Sequence, residues 1–201
     1  MPGEEKKGKS RWKRELVEWS VFIGILAILY FTGLHKPVIS TLQRGLLMTG
    51  ILRPDTTPEA EDIMKADYNM PLVTLAGERA HLRDFKDKVV FMNFWATWCP
   101  PCIAEMPNIQ SLYNSVDHDD IVFLMISLDE EAETARNFIE KKDYTFPVYF
   151  MSGYRPGVYE STVVPTTYVI SREGKIVSKK RGMAQYDNEG FRNFLLQLAD
   201  S

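Results

Sequence analysis

F-M-N-F-W-A-T-W-C-P-P-C-I-A-E-M-P, residues 91–107, contains both cysteines of the chain. Val89 and Val90 precede it, so the uncharged run V-V-F-M-N-F-W extends from Val89 to Trp95. An apolar run of strand length without alternation reads as a strand buried on both faces, hence one in the middle of a sheet. Beyond the cysteines the period changes. Ile103, Met106, Ile109, Leu112 and Tyr113 fall on one side of a helix that reaches about Val116. The strand therefore runs straight into Cys-Pro-Pro-Cys, and the helix starts there, with Pro100 where proline is best tolerated. Cys99 falls at or just before the first turn and Cys102 one turn deeper. The free N–H groups and the dipole of a helix start favour an anion, so the spacing favours the Cys99 thiolate, the nucleophilic form. It also places Cys102 to attack a mixed disulfide and resolve it.

The other readings of the pair fit less well. A zinc site needs four ligands, and His35, His81 and His118 stand at no ligand spacing from the single Cys-x-x-Cys. A purely structural disulfide would close too short a loop to constrain the unfolded chain much. A peroxide-reducing cysteine is the stronger rival, although that chemistry wants one activated cysteine without a partner so close by. No cofactor and no metal is called for, since a dithiol carries its own two electrons.

Working outward, Pro71–Leu75 reads as a short strand ended by Gly77, and Ile121–Leu128 as another buried strand. Glu131–Lys141 reads as an amphipathic helix and Phe146–Phe150 as a short strand. Thr166–Ser171 and Lys175–Lys179 flank Glu173-Gly174, a hairpin signal. Phe191, Phe194, Leu195 and Leu198 are spaced for a last helix, with Asp187 its expected N-cap. Strand, helix, strand, helix, hairpin, helix implies an α/β domain with a central mixed sheet covered on both faces.

Before the domain, residues 1–15 carry Lys6, Lys7, Lys9, Arg11, Lys13 and Arg14 against Glu4, Glu5 and Glu15. An uncharged run follows from Trp19 to Leu34. With Leu16 and Val17 it approaches the ~20 residues of a membrane helix, and the basic flank puts the N-terminus in the cytoplasm. The expected layout is a basic tail at 1–15, a transmembrane anchor at 16–34, an amphipathic stalk and linker at 35–69, and an extracytoplasmic domain at 70–201. A cleaved signal peptide is the alternative for the apolar run. Ile39, Leu42 and Leu46 have helical spacing within the stalk, and Pro54, Pro58 and five acidic residues mark 53–67 as linker. The formal net charge of −3 gives no sign of nucleic-acid binding, and nothing demands more than a monomer.

The segment L-R-D-F-K-D-K-V-V-F-M-N-F-W-A-T-W-C-P-P-C-I-A-E-M-P, residues 82–107, resembles the TlpA/ResA/DsbE-type extracytoplasmic thioredoxins. The resemblance thins through Ile121–Leu128 and returns in V-V-P-T-T-Y-V-I-S-R-E-G-K-I-V, residues 163–177. It implies a thioredoxin-like fold and thiol–disulfide exchange on proteins outside the cytoplasm. Cys99 would be the exposed attacking cysteine and Cys102 the buried one. Pro165 would be a cis-proline facing the disulfide, with Val164 offering its backbone to substrate. Glu105, one turn beyond Cys102, would handle its proton; read from the residues alone, it is equally a solvated first-turn carboxylate. Asn93 stands where cytoplasmic thioredoxins carry a buried aspartate. Trp98, Pro100 and Gly182 complete the expected substrate contacts, Trp98 by shielding the cysteines, while Trp95 reads as core. The resemblance further implies reduction of disulfides, such as haem-binding cysteines of apocytochromes c or copper-site cysteines, with electrons from a membrane thiol donor. Open beside it stand an oxidase or isomerase of the same fold, a thiol peroxidase, and a non-catalytic membrane-tethered binding module.

Overall fold

The computed structural model describes residues 6–31, 45, 47, 54, 64–116 and 119–201. Most of the stalk, with Ile39, Leu42 and Leu46, most of the linker, His35 and His118 lie outside the described residues. The chain divides into two units, Met1–Ile39 and Ser40–Ser201.

Within the first unit, α1 spans Lys6–Phe31. Among the described residues no helix is long and apolar enough to cross a membrane, which corrects the expectation of a transmembrane helix at 16–34. The physical reason is charge: within the described part of α1 the uncharged stretch begins only at Trp19. Glu15 and Glu18 precede it on the same helix. Leu16, Val17, Trp19, Val21, Phe22, Ile23, Ile25, Ile28 and Tyr30 are all exposed.

The second unit is built on an eight-stranded mixed sheet in the order β1-β8-β7-β4-β5-β6-β2-β3. The strands are β1 (Met64–Lys65), β2 (Pro71–Thr74), β3 (Arg79–His81), β4 (Val89–Trp95), β5 (Ile121–Ser127), β6 (Val148–Met151), β7 (Thr166–Ile170) and β8 (Lys175–Arg181). The helices are α2 (Pro100–Ser115), α3 (Ala132–Lys141) and α4 (Glu189–Ala199). All seven residues of β4 are buried. It lies between β5, its parallel partner, and β7, its antiparallel one, so the unbroken apolar run marks a central strand for the reason given above.

Side chains alternate across β4. Phe91 and Trp95 join a cluster with Ile109 and Leu112 of α2, Ala135 and Ile139 of α3, and Phe191 and Leu195 of α4. Val90, Met92 and Phe94 join a second cluster, which is closed by Leu82, Tyr159 and residues near β1 and β2. The three helices thus pack into one cluster. Two successive β-α-β crossovers advancing in the same direction, β4 to β5 to β6, put their helices on one side when both are right-handed. Short 3-10 turns, Leu82–Phe85 and Gly157–Tyr159, cover the other side.

Two strands carry no signal in the sequence. β1 lies in the stretch read as linker and pairs Met64 and Lys65 with Ile176 and Lys175 of β8. β3 returns antiparallel to β2 across a turn in which Gly77 has φ +85°. The N-cap of α4 is Asn188, not the expected Asp187. Asn188 Oδ1 accepts from the Phe191 N–H at 2.9 Å, and Asp187 pairs with Arg192 at 2.8 Å. Pro107 lies inside α2, and the helix continues on both sides of it.

Candidate active site

β4 delivers the chain to Trp95, a tight turn follows, and Cys99 becomes the N-cap of α2, with Pro100 at its first position. Cys99 and Cys102 are joined in a disulfide. The Cys102 N–H donates to Cys99 Sγ at 3.3 Å, so a helix-start donor points at the sulfur that the sequence marks as nucleophile. In this disulfide form Cys99 is only 4% exposed and Cys102 fully buried. Both cysteines are therefore buried here, and Cys99 is not the exposed sulfur that the resemblance implied. The Val164 carbonyl oxygen stands 3.6 Å from Cys99 Sγ. The Val164–Pro165 peptide is cis.

Gly182, with φ +77°, donates its N–H to the Pro165 carbonyl at 2.8 Å, and a Cβ there would meet open space. Val164, Pro165 and Gly182 are therefore joined, with Val164 against Cys99. Trp98 is 54% exposed, a position from which it presents a surface beside the pair rather than burying it, whereas Trp95 is fully buried.

Glu105 is not a solvated carboxylate. It is fully buried, accepting from Asn93 Nδ2 at 2.9 Å and from the Ala184 N–H at 3.1 Å. Burial pushes its pKa up to about 8, against the opposing pull of those two hydrogen bonds. Asn93 Nδ2 also donates to Thr167 Oγ1 at 2.8 Å, and the Tyr186 hydroxyl donates to the same oxygen at 2.7 Å. Asn93 and Thr167 are direct cross-strand partners of β4 and β7. Tyr186 is held well above its ordinary pKa by burial first and by the Glu105 charge second. The result is a buried polar chain from Glu105 through Asn93 and Thr167 to Tyr186, in which Asn93 Oδ1 has no partner.

Thr167, Ala184 and Tyr186 escaped the sequence reading. The only hint was polar Thr166-Thr167 in an otherwise apolar strand. His81, weighed above as a ligand, caps the 3-10 turn after β3. Among the described residues no group of His, Cys, Asp and Glu can hold a metal ion.

Chemically, the arrangement offers a dithiol/disulfide couple with a donor aimed at the outer sulfur. One turn beyond the inner sulfur it adds a buried carboxyl that holds or releases a proton near neutral pH. The AhpC/TSA family model matches residues 63–179. The chain is 35% identical to a thiol-disulfide oxidoreductase ResA of Bacillus cereus over 122 residues, 60% of this chain and 70% of that one. It is 32% identical to ResA of Bacillus subtilis over 115 residues, 57% and 64% of the two chains. The fold is similar to that of StoA from Bacillus subtilis, with a TM-score of 0.52 at 24% identity, over 70% of this chain and 98% of that one. The chain belongs to the AhpC/TSA family and is a thioredoxin-like thiol–disulfide oxidoreductase similar to the ResA proteins.

Proposed function

We propose that the protein works as a reductase of disulfides in proteins outside the cytoplasm. The Cys99 thiolate attacks a substrate disulfide, a Cys99–substrate bond forms, and the first substrate sulfur leaves as a thiol. Cys102 then attacks Cys99 Sγ, which releases the second substrate thiol and leaves the protein oxidised. Two electrons pass from the dithiol to the substrate. Glu105 takes the Cys102 proton as that thiol becomes a nucleophile. The observation that carries this reading is the burial of Glu105, with its pKa near 8, one turn beyond Cys102. A carboxyl of that kind is matched to proton transfer near neutral pH. Trp98, Pro100, Val164, Pro165 and Gly182 form the surface that meets substrate, Val164 through its backbone.

Candidate substrates are the haem-binding cysteines of apocytochromes c or copper-site cysteines, and a membrane thiol protein resets the oxidised pair. Location at a membrane is supported by the basic tail and by the exposed apolar side chains of α1. Each such side chain left in water forgoes about 1.5–3 kcal/mol that an apolar environment would return. The protein acts as a monomer.

The redox potential tests the direction. Trp95 is buried in the same cluster as the two cysteines, so its fluorescence serves as the reporter. A potential near or below about −270 mV supports the reductase, because the oxidised pair is then favoured and the reduced protein gives electrons away. A potential near about −120 mV overturns it in favour of an oxidase. Rapid consumption of hydrogen peroxide by the reduced protein would point instead to the peroxidase.

A further inference from the structure

The turn from Ala96 to Trp98 is the piece of chain that brings Cys99 to the head of α2, and a second buried carboxylate holds it. β5 ends at Ser127, and the Leu128 N–H donates to the Trp95 carbonyl at 2.8 Å, carrying the β4–β5 pairing one step past the end of the strand. Asp129 then turns back on the loop. Its two carboxylate oxygens each stand 3.2 Å from the Thr97 nitrogen, whose N–H they share. Oδ1 accepts the Thr97 hydroxyl at 2.7 Å, and Oδ2 accepts the Ser127 hydroxyl at 2.8 Å. Ser127 Oγ in turn accepts the Asp129 N–H at 3.1 Å. Asp129 is 9% exposed, and its carboxylate partners here are one backbone N–H and two hydroxyls.

We propose that Asp129 is a positioning residue for thiol–disulfide exchange: through Thr97 it fixes the turn that sets Cys99 on the start of α2. Burial of a carboxylate is unfavourable unless its lone pairs are used, and those of Asp129 go mostly to one residue of that turn. The Thr97 hydroxyl and N–H both end on this one carboxyl group, so Thr97 is the residue through which the turn is tied to the end of β5. Only Trp98 stands between Thr97 and Cys99, and the Cys99 N–H reaches back to the Ala96 carbonyl at 3.3 Å. In-line attack on a disulfide tolerates little misalignment, and a shift of about 1 Å can cost on the order of 10²-fold in rate. The role is the same whether the pair reduces or oxidises its substrate. It rests on the assignment of Cys99 as the attacking sulfur.

The test compares the full-length protein with Asp129→Asn, Thr97→Val and the double variant. Each is reduced and reacted with a small aromatic disulfide at a pH where the rate has reached its plateau, and a parallel reduced sample is alkylated with limiting iodoacetamide, whose thioether the second cysteine cannot displace. The modified cysteine is identified by mass spectrometry, and Tm is recorded alongside. Asn retains one acceptor oxygen in place of two, so the expected fall in rate for Asp129→Asn is about tenfold. Thr97→Val keeps its N–H and is expected to lose about threefold, with the double variant no worse than Asp129→Asn because both act on one tie. A variant that loses Tm but reacts at the unchanged plateau rate overturns the proposal, since a merely structural group would behave that way. Should Asp129→Asn not fold, Thr97→Val decides on the same criterion. An adduct on Cys102 overturns the assignment of Cys99, whereas an adduct on Cys99 at an unchanged rate overturns the role of Asp129 alone.

Discussion

Both faces of β4, the central strand, are buried, and they differ in what interrupts their packing. On the side of the helices, β4 presents Phe91, Asn93 and Trp95, and the buried polar chain of Glu105, Asn93, Thr167 and Tyr186 runs through the cluster that also holds both cysteines. On the other side, β4 presents Val90, Met92 and Phe94, which meet Leu124, Ile126, Ile170 and the edge of Tyr168. One strand thus divides its work by parity. Among its odd-numbered residues Asn93 joins the buried polar chain beside the cysteines, and its even-numbered residues supply apolar packing alone.

Substitutions on the two faces should therefore fail in different ways. The largest effect falls on the pair itself. Cys99→Ser or Cys102→Ser is expected to abolish turnover of a protein disulfide, measured as thiol release, and full activity in either would remove the exchange chemistry from this site. Next come Met92→Ala and Phe94→Ala on the apolar face. Each is expected to destabilise by about 2–5 kcal/mol in denaturant unfolding, with the pH dependence of stability unchanged. If either shifted that pH dependence, the division by parity would be wrong.

Glu105→Gln is the complementary test. The unfolded carboxyl releases its proton near 4.5, while the folded one holds it to about 8. Between those values the native state binds more protons than the unfolded state, so wild-type stability falls as pH rises through the window. The size is on the order of a few kcal/mol. Glu105→Gln does not titrate, and its stability should be flatter over the same range in unfolding titrations at about pH 4 and about pH 8.5, values that bracket the window. Equal slopes for the two proteins would show that Glu105 is not held neutral. The smallest effects lie at the start of α4. Asn188→Ala is expected to cost about 1 kcal/mol as a lost cap, and Asp187→Ala less than about 1 kcal/mol, since its ion pair with Arg192 is partly exposed and screened. A larger loss at Asp187 than at Asn188 would reverse the assignment of the cap.

Much of the fold was legible because its signals are local. The buried run Val89–Trp95, the change of period after Cys102 and the Glu173-Gly174 turn each report on a few neighbouring residues, and β4, α2 and the β7–β8 hairpin lie where those patterns put them. β1 was not legible, since two exposed residues have no period. Its pairing is decided by β8, more than a hundred positions along the chain. The membrane-spanning reading of 16–34 rested on hydropathy summed over a run whose last residues, 32–34, lie outside the described ones. The site divides in the same way. The cysteine pair and the placement of Glu105 one turn on follow from helical spacing. The environment of Glu105 does not, because its partners come from other elements, Asn93 from β4 and Ala184 from the segment after β8, 79 positions along the chain.

The sequence by itself determined the reactive element: a buried strand, two cysteines three apart, and a helix whose first turn favours the outer sulfur as an anion. Those properties depend on bonds and dipoles within a few residues of Cys99. Tertiary structure alone decided which carboxyls serve that element and in what state. Glu105 becomes a buried acid because Asn93 and Ala184 enclose it, and Asp129 reaches Thr97 because β5 ends beside β4. Burial and hydrogen bonding between distant segments set those environments, and no local pattern in the chain encodes them.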